Sequence, residues 1–295
     1  MPKKVICLLG REMSADLSRL NNLAKCLMRY IGAVLIKLIT ALIVLPLFYV
    51  LEPLIRIRLT HIWSDRIGHF CFNTHIFFAR KNWSGKGGRT FRIIFGWNPC
   101  NETLFRLWQR KIPLKQSRAL ATFYHYSKGV GGKTRFWSPM NHNLNDYREI
   151  DYPNRPILYF TDEEEEKGNS LLEKMGVDPG GWFVAFHCRD AAFNGFESGI
   201  EKSDTRQHRN ADIKTYLGAA KRMVDRGGWA IRMGSVVEEP LDVDSCPNII
   251  DYATEHRSDF GDIWLSARSR FFLGASSGLH SVPPRFNTPV ALAQQ

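Results

Sequence analysis

Trp182-Phe-Val-Ala-Phe-His187 runs straight into Cys188-Arg189-Asp190, an apolar segment of strand length that ends in a cation and an acid. A short run of this kind suits a strand buried on both faces, as in parallel sheets. Three more runs follow the same plan. Trp229-Ala-Ile-Arg-Met233 ends at Gly234-Ser235, Arg270-Phe-Phe-Leu-Gly274 opens into Ala275-Ser-Ser-Gly278, and Pro289-Val-Ala-Leu-Ala293 comes last. Between them lie helical periodicities. The alternation predicts an α/β fold with a parallel sheet, whose ligands bind outside the carboxyl ends of the strands. Loops of Arg, Ser and Gly at those ends suit phosphate, so the expected ligand is a nucleotide-activated compound.

Residue by residue, the C-terminal half offers several candidates. Arg189 stands at a strand end, where its guanidinium suits bidentate phosphate contact. Asp190 either orients Arg189 or acts as a base, and His187 either packs as a strand-end side chain or joins the chemistry. The apolar face of Ala211 to Arg226 predicts a helix with Asn210 as N-cap and Gly227 as its stop. Arg209 is thereby placed at the edge of the cleft. Arg232 sits inside an apolar strand and needs either a buried partner such as Asp251 or a ligand. Gly234 follows that strand. Ser276, Ser277 and Gly278 offer hydroxyls and close backbone approach at an expected helix start, a ready anion site. Ser258 caps a further helix, in whose first turn Asp259 and Asp262 share a face and complement its dipole.

Across the 295 residues, 44% are hydrophobic and 12% aromatic, ordinary values for globular domains. The net charge of +11 is unevenly spread: residues 1–150 hold 24 Lys/Arg and 7 Asp/Glu, leaving 16 and 22 for residues 151–295. The halves are therefore +17 and −6. A basic half beside an apolar segment suits an anionic membrane surface or a phosphate-bearing lipid. No nucleic-acid-binding module is recognisable. The six cysteines show neither CxxC nor metal-ligand spacing, which points to a reducing compartment without a disulfide framework or a metal site.

Ile31 to Leu51 is apolar except for Gly32, Lys37, Thr40 and Pro46, and is long enough to cross a bilayer. Basic residues on both flanks give the positive-inside rule no preferred direction, and an interfacial or re-entrant anchor with both ends cytoplasmic explains both. Pro46 should kink the helix. Further along, Arg56 to Thr60 and Arg92 to Phe95 read as strands, and Phe70 to Phe78 and Glu102 to Arg110 as helices. Ser127 to Thr134 lacks the first Gly of a P-loop and reads as a flexible turn. The acidic run Asp162 to Glu166 reads as a solvated helix start. The chain then divides into a basic segment (1–29), a membrane-associated segment (30–53), an N-terminal α/β lobe (54–155) and a C-terminal α/β lobe (156–295).

Arg66-Ile-Gly-His69, His208-Arg-Asn-Ala-Asp-Ile213, Ile231-Arg-Met-Gly234, Ile250-Asp-Tyr-Ala253, Ser258-Asp-Phe-Gly-Asp262 and Ser276-Ser-Gly-Leu279, in this order, resemble a family of bacterial glycosyltransferases associated with surface-polysaccharide synthesis. The resemblance covers roughly residues 54 to 293. It implies two Rossmann-like lobes of the GT-B kind, an acceptor lobe followed by a sugar-nucleotide lobe. His187-Cys-Arg189 more distantly resembles the His-x-Arg element of GDP-fucose-using transferases, where the Arg holds the diphosphate; Asp190 departs from the second Arg found there. The C-terminal lobe ends early relative to similar proteins and is expected to be truncated.

The resulting expectation is metal-independent transfer of a sugar from a nucleotide diphosphate to a surface glycan or lipid-linked acceptor, at the cytoplasmic face of the inner membrane. Beyond the donor substrate it requires no cofactor. Asp190 or His69 is the expected base. His187, Arg189, Arg209, Asn210, Arg232, Gly234, Ser276, Ser277 and Gly278 are the expected donor-binding set. A truncated, non-catalytic sugar-nucleotide binder and an epimerase acting on nucleotide sugars are the rival expectations.

Overall fold

The computed structural model describes residues 2–79, 89–140, 156–189, 192, 210–243 and 245–293. By its internal contacts the chain forms two compact units. The first holds Met1–His61, Gly85–Ile93 and Ser117–Pro139; the second holds Ile62–Ser84, Ile94–Gln116 and Met140–Gln295. The segment 54–155 thus contributes to both.

In the first unit, helix α1 (Pro2–Ile39) runs through a π-helical turn (Thr40–Val44) into α2 (Leu45–Leu51). Pro46 explains the turn. A proline has no N–H to donate, and its ring would strike the carbonyl four residues back in a regular helix. The wider turn, in which the Leu45 N–H reaches the Thr40 carbonyl, accommodates it. Strand β1 (Arg56–His61) follows, and helix α5 (Arg118–Gly131) packs beside α1. The expected turn at Ser127 to Thr134 is helical as far as Gly131, because the indole of Trp137 lies flat on that glycine. A Cβ there would come within 2.5 Å of the ring, whose Nε1 donates to Ser127 Oγ at 3.1 Å.

The second unit contains helix α3 (Ile67–Ala79), the end of β2 (Thr90–Gly96), α4 (Glu102–Gln109) and β3 (Leu114–Gln116). Strands β2 and β3 are parallel. Then come α6 (Asp162–Lys174), β4 (Phe183–His187), α7 (Leu217–Val224), β5 (Trp229–Arg232), β6 (Ile249–Ile250), α8 (Tyr252–Glu255), α9 (Asp259–Arg268), β7 (Phe272–Gly274) and β8 (Val290–Leu292). The sheet order is β6-β5-β4-β7-β8, and every pair is parallel. Alternation along β4 sends Phe183 and Ala185 into one apolar cluster and Val184 and Phe186 into another. Both faces are covered, as the unbroken apolar run requires.

The acidic run starts α6 with a capping box, in which Thr161 and Glu164 satisfy each other's backbone N–H groups. The helix predicted over Ala211 to Arg226 is shorter than expected, and Asn210 is not its cap. The Ala211 N–H is spent on the Arg189 carbonyl at 2.8 Å, so the turn begins later, as a 3-10 segment Ile213–Tyr216 capped by Asp212. Gly227, at φ +80°, stops the helix as predicted. Ser258 caps α9 by accepting from the Gly261 N–H at 3.0 Å.

Two glycines give a clean contrast. A Cβ on Gly168 of α6 would lie 1.9 Å from the Trp264 ring, whereas a Cβ on Gly218 of α7 meets nothing within 4 Å. Gly168→Ala should therefore cost about 1–3 kcal/mol through overpacking. Gly218→Ala should stabilise by roughly 0.5–1 kcal/mol through the entropy of the unfolded chain. Urea unfolding of the two variants beside the parent checks both signs.

Candidate functional site

The order β6-β5-β4-β7-β8 carries a specific consequence. From β4 the chain steps outward to β5 and β6, then returns to the other side of β4 to build β7 and β8. The reversal lies between β4 and β7. In open parallel sheets the crevice for ligands forms there, outside the carboxyl ends. The residues at that point are His187 and Gly274, which are register partners.

Backbone geometry locks the two strand ends together. The Ala275 N–H donates to the His187 carbonyl at 3.1 Å, and a Cβ on Gly274 would come 2.5 Å from that same oxygen. Glycine is needed here for close approach. The following loop turns sharply, the Ser277 N–H reaching the Ala275 carbonyl at 2.7 Å, and brings Ser277 Oγ to 3.1 Å from His187 Nδ1. A second loop meets it. A Cβ on Gly68 would lie 2.9 Å from Gly278 Cα, and one on Gly278 would lie 3.0 Å from Gly68 N. Two glycines from distant parts of the sequence thus face each other, and His69 directly follows the first of them. Asn73 Nδ2 lies 3.4 Å from His69 Nδ1, and Trp63 meets the ring edge to face at 5.5 Å.

His187 is half-buried at the end of β4. Burial, aided by the positive charge of Arg232 and by His280, pushes its pKa down to about 4, so the ring is neutral near pH 7. Gly234 sits beside it, a Cβ there falling 3.8 Å from His187 Cδ2. Arg189 is buried at 8% exposure, and its carbonyl anchors Ala211. Arg232 is buried against Asp251, Nη1 donating to Oδ2 at 3.1 Å and to the Glu239 carbonyl at 2.8 Å. Asp251 Oδ2 also accepts from the Leu241 N–H and the Thr254 hydroxyl, both at 2.8 Å, which offsets part of the cost of burying the carboxylate. Of the two readings of Arg232, the buried pair is the one present.

His187, Gly234 and Ser277 are thus linked through these contacts, and Gly278 meets Gly68, the residue before His69. Ser276 lies on the same loop, Arg189 two residues beyond His187, and Asn210 on the half-buried segment leading into α7. Asp190 and Arg209 lie outside the described residues. Sequence reasoning missed Gly68 and His280 as members; Gly68 was inside a quoted motif, but only its contact with Gly278 gives it a role. Asp262 belongs to a separate network. Burial raises its pKa to about 6 against the pull of Arg257, which donates to it at 3.0 Å, while Tyr252 Oη lies at 3.1 Å. Asp259 accepts from the Glu102 N–H at the start of α4. Both acids therefore hold helices together. No cluster of three His, Cys, Asp or Glu side chains able to hold a metal occurs among the described residues.

No protein-family model matches the chain. No curated protein matches it either. Among solved structures, it is similar to the E. coli ADP-heptose lipopolysaccharide heptosyltransferase II, at 12% identity and a TM-score of 0.50, with 79% of this chain and 83% of that one covered. A glycosyl transferase of family 9 from Veillonella parvula aligns at 10% identity and a TM-score of 0.47, with 80% of each chain covered. At such identity the likeness to the heptosyltransferase establishes a shared α/β fold with parallel sheets. The GDP-fucose-using transferases have no counterpart among these matches.

Two outcomes are expected. Asp251→Ala strands a buried guanidinium and should cost about 3–5 kcal/mol, read by chemical unfolding. The His187 ring should titrate near pH 4 by NMR. Its folded pKa lies below the unfolded value of about 6.5, so its contribution to stability is complete above that value and is lost as pH falls toward 4. His187→Gln should flatten this part of the stability profile.

Proposed function

We propose that this chain is a glycosyltransferase. It takes a sugar from a nucleoside diphosphate donor and passes it, without a metal, to a glycan or lipid-linked acceptor at the cytoplasmic face of the inner membrane. The observation that carries the reading is the strand-order reversal between His187 and Gly274, with Arg189 on one side and Ser276 to Gly278 on the other. The fold shared with a heptosyltransferase supports it.

The chemistry follows from the charge to be handled. As the bond from the anomeric carbon to the diphosphate breaks, negative charge grows on the leaving oxygen. Arg189 and Arg209 neutralise it, and the hydroxyls of Ser276 and Ser277 donate to phosphate oxygens. His187, being neutral, adds no charge; it positions the Ser277 hydroxyl. Asn210, Arg232 and Gly234 shape the remaining wall, Arg232 through its pair with Asp251. The acceptor hydroxyl attacks the anomeric carbon, and its proton passes to Asp190 or His69. His69 can receive it on Nε2 only when Asn73 turns its amide oxygen toward Nδ1, because a donating amide fixes the ring proton on Nε2.

A thermal-shift screen against UDP, GDP, CDP and ADP tests the reading, since a ligand that binds only the native state raises its stability by about 2.7 kcal/mol at a hundredfold excess over Kd. One nucleotide should stabilise the protein, EDTA should leave that shift unchanged, and Arg189→Ala should weaken binding about 10- to 100-fold. Absence of a shift with every nucleotide overturns the proposal; binding without sugar release from the matching donor selects the non-catalytic alternative.

A further inference from the structure

The first unit carries an apolar helix whose use the proposed reaction leaves open. Ser18–Leu51 is helical, long and apolar enough to cross a membrane, and almost none of it is buried. At 1.5 Å per residue its 34 residues would extend about 51 Å, well beyond the ~30 Å hydrocarbon core. Length alone therefore does not decide between crossing a bilayer and lying along one.

The arrangement of side chains does. At about 100° per residue, Leu20, Leu27, Ile31, Leu35 and Leu38 fall on one arc of α1, each at least 49% exposed. Lys25, Arg29 and Lys37 all fall more than about 100° from the centre of that arc. The helix is thus amphipathic in the manner of interfacial helices, with its cations together on one side. That cationic side is also the side α5 occupies. Thr40 is fully buried, and the stem of Lys37 reaches 4.0 Å from the position of a Cβ on Gly129. Helix α5 exposes Arg118, His125 and Lys128. If α1 crossed the bilayer, α5 would enter the hydrocarbon beside it, at a cost of roughly 2.5–3.5 kcal/mol for each charged residue near the centre.

The exit from the helix repeats the pattern. Arg135 is 58% exposed and stands over the ring of Tyr49 at 5.6 Å, while Arg56, Lys128 and Lys133 are exposed in the same unit. Their charge calls for anionic headgroups, and the apolar arc calls for acyl chains next to them.

We infer that α1 lies in the plane of one leaflet of an anionic bilayer, with its leucine arc in the acyl boundary and Lys25, Arg29 and Lys37 at headgroup level, and does not cross the membrane. This goes beyond the reaction proposed above and stands whether or not that reaction occurs.

The test uses the full chain with preformed vesicles of phosphatidylcholine alone or mixed with phosphatidylglycerol. Binding should be much tighter to the anionic vesicles and should weaken with salt. Lys25→Gln/Arg29→Gln/Lys37→Gln should lose on the order of a hundredfold in affinity for them, at about fivefold per cation. Cys26 is exposed beside these cations, and in the bound state a membrane-impermeant maleimide should still modify it, scored on its own peptide by mass spectrometry. Equal affinity for both vesicle types, Cys26 protected by the bilayer, or a stable dimer that ignores vesicles would each overturn the inference.

Discussion

Strand β4 has to be buried on both faces, and most of the second unit follows from that. Its side chains alternate into two apolar clusters, so helices must cover both sides of the sheet, and its edges must be closed by β5 and β7. With parallel neighbours on both sides, the chain has to leave in one direction and return in the other. The reversal at the carboxyl end of β4 is the geometric result. Ser277 and His187 owe their meeting to it.

Charge inside this unit is handled in three ways. Arg232 is paired with an aspartate that has further donors of its own. His187 gives up its proton, because burial next to a guanidinium penalises the cation. Asp262 keeps Arg257 and Tyr252 as partners, yet burial still holds its pKa near 6. The first two arrangements sit at the strand ends and the third joins helix starts, so only the first two bear on a ligand in the crevice.

The first unit obeys a different constraint. Its long helix exposes more apolar surface than water tolerates in a lone soluble domain, while its polar side is already engaged by α5. The π-turn ahead of Pro46 belongs to the same account. A stripe of every fourth residue in a regular helix drifts by about 40° per step. The wider turn rotates it back, keeping Ile36, Thr40, Val44 and Phe48 partly or fully buried along one side.

The apolar runs determined the strands around β4, and the caps at Ser258 and Thr161 together with Gly227 set helix ends, because these depend on residues close in sequence. That Arg232 needs a partner was equally legible, while the choice of Asp251 over a ligand came from the structure. Tertiary structure decided the rest. Asn210 lost its expected capping role because the neighbouring Ala211 amide pairs with the distant Arg189 carbonyl. Gly131, within the segment read as a turn, instead closes a helix against a tryptophan ring. Gly68 acquires its role from Gly278, more than two hundred residues away, and no local pattern encodes that contact. Sequence fixes what short-range sterics and hydrophobic period can specify, whereas a site assembled from loops depends on which strand ends the topology places side by side.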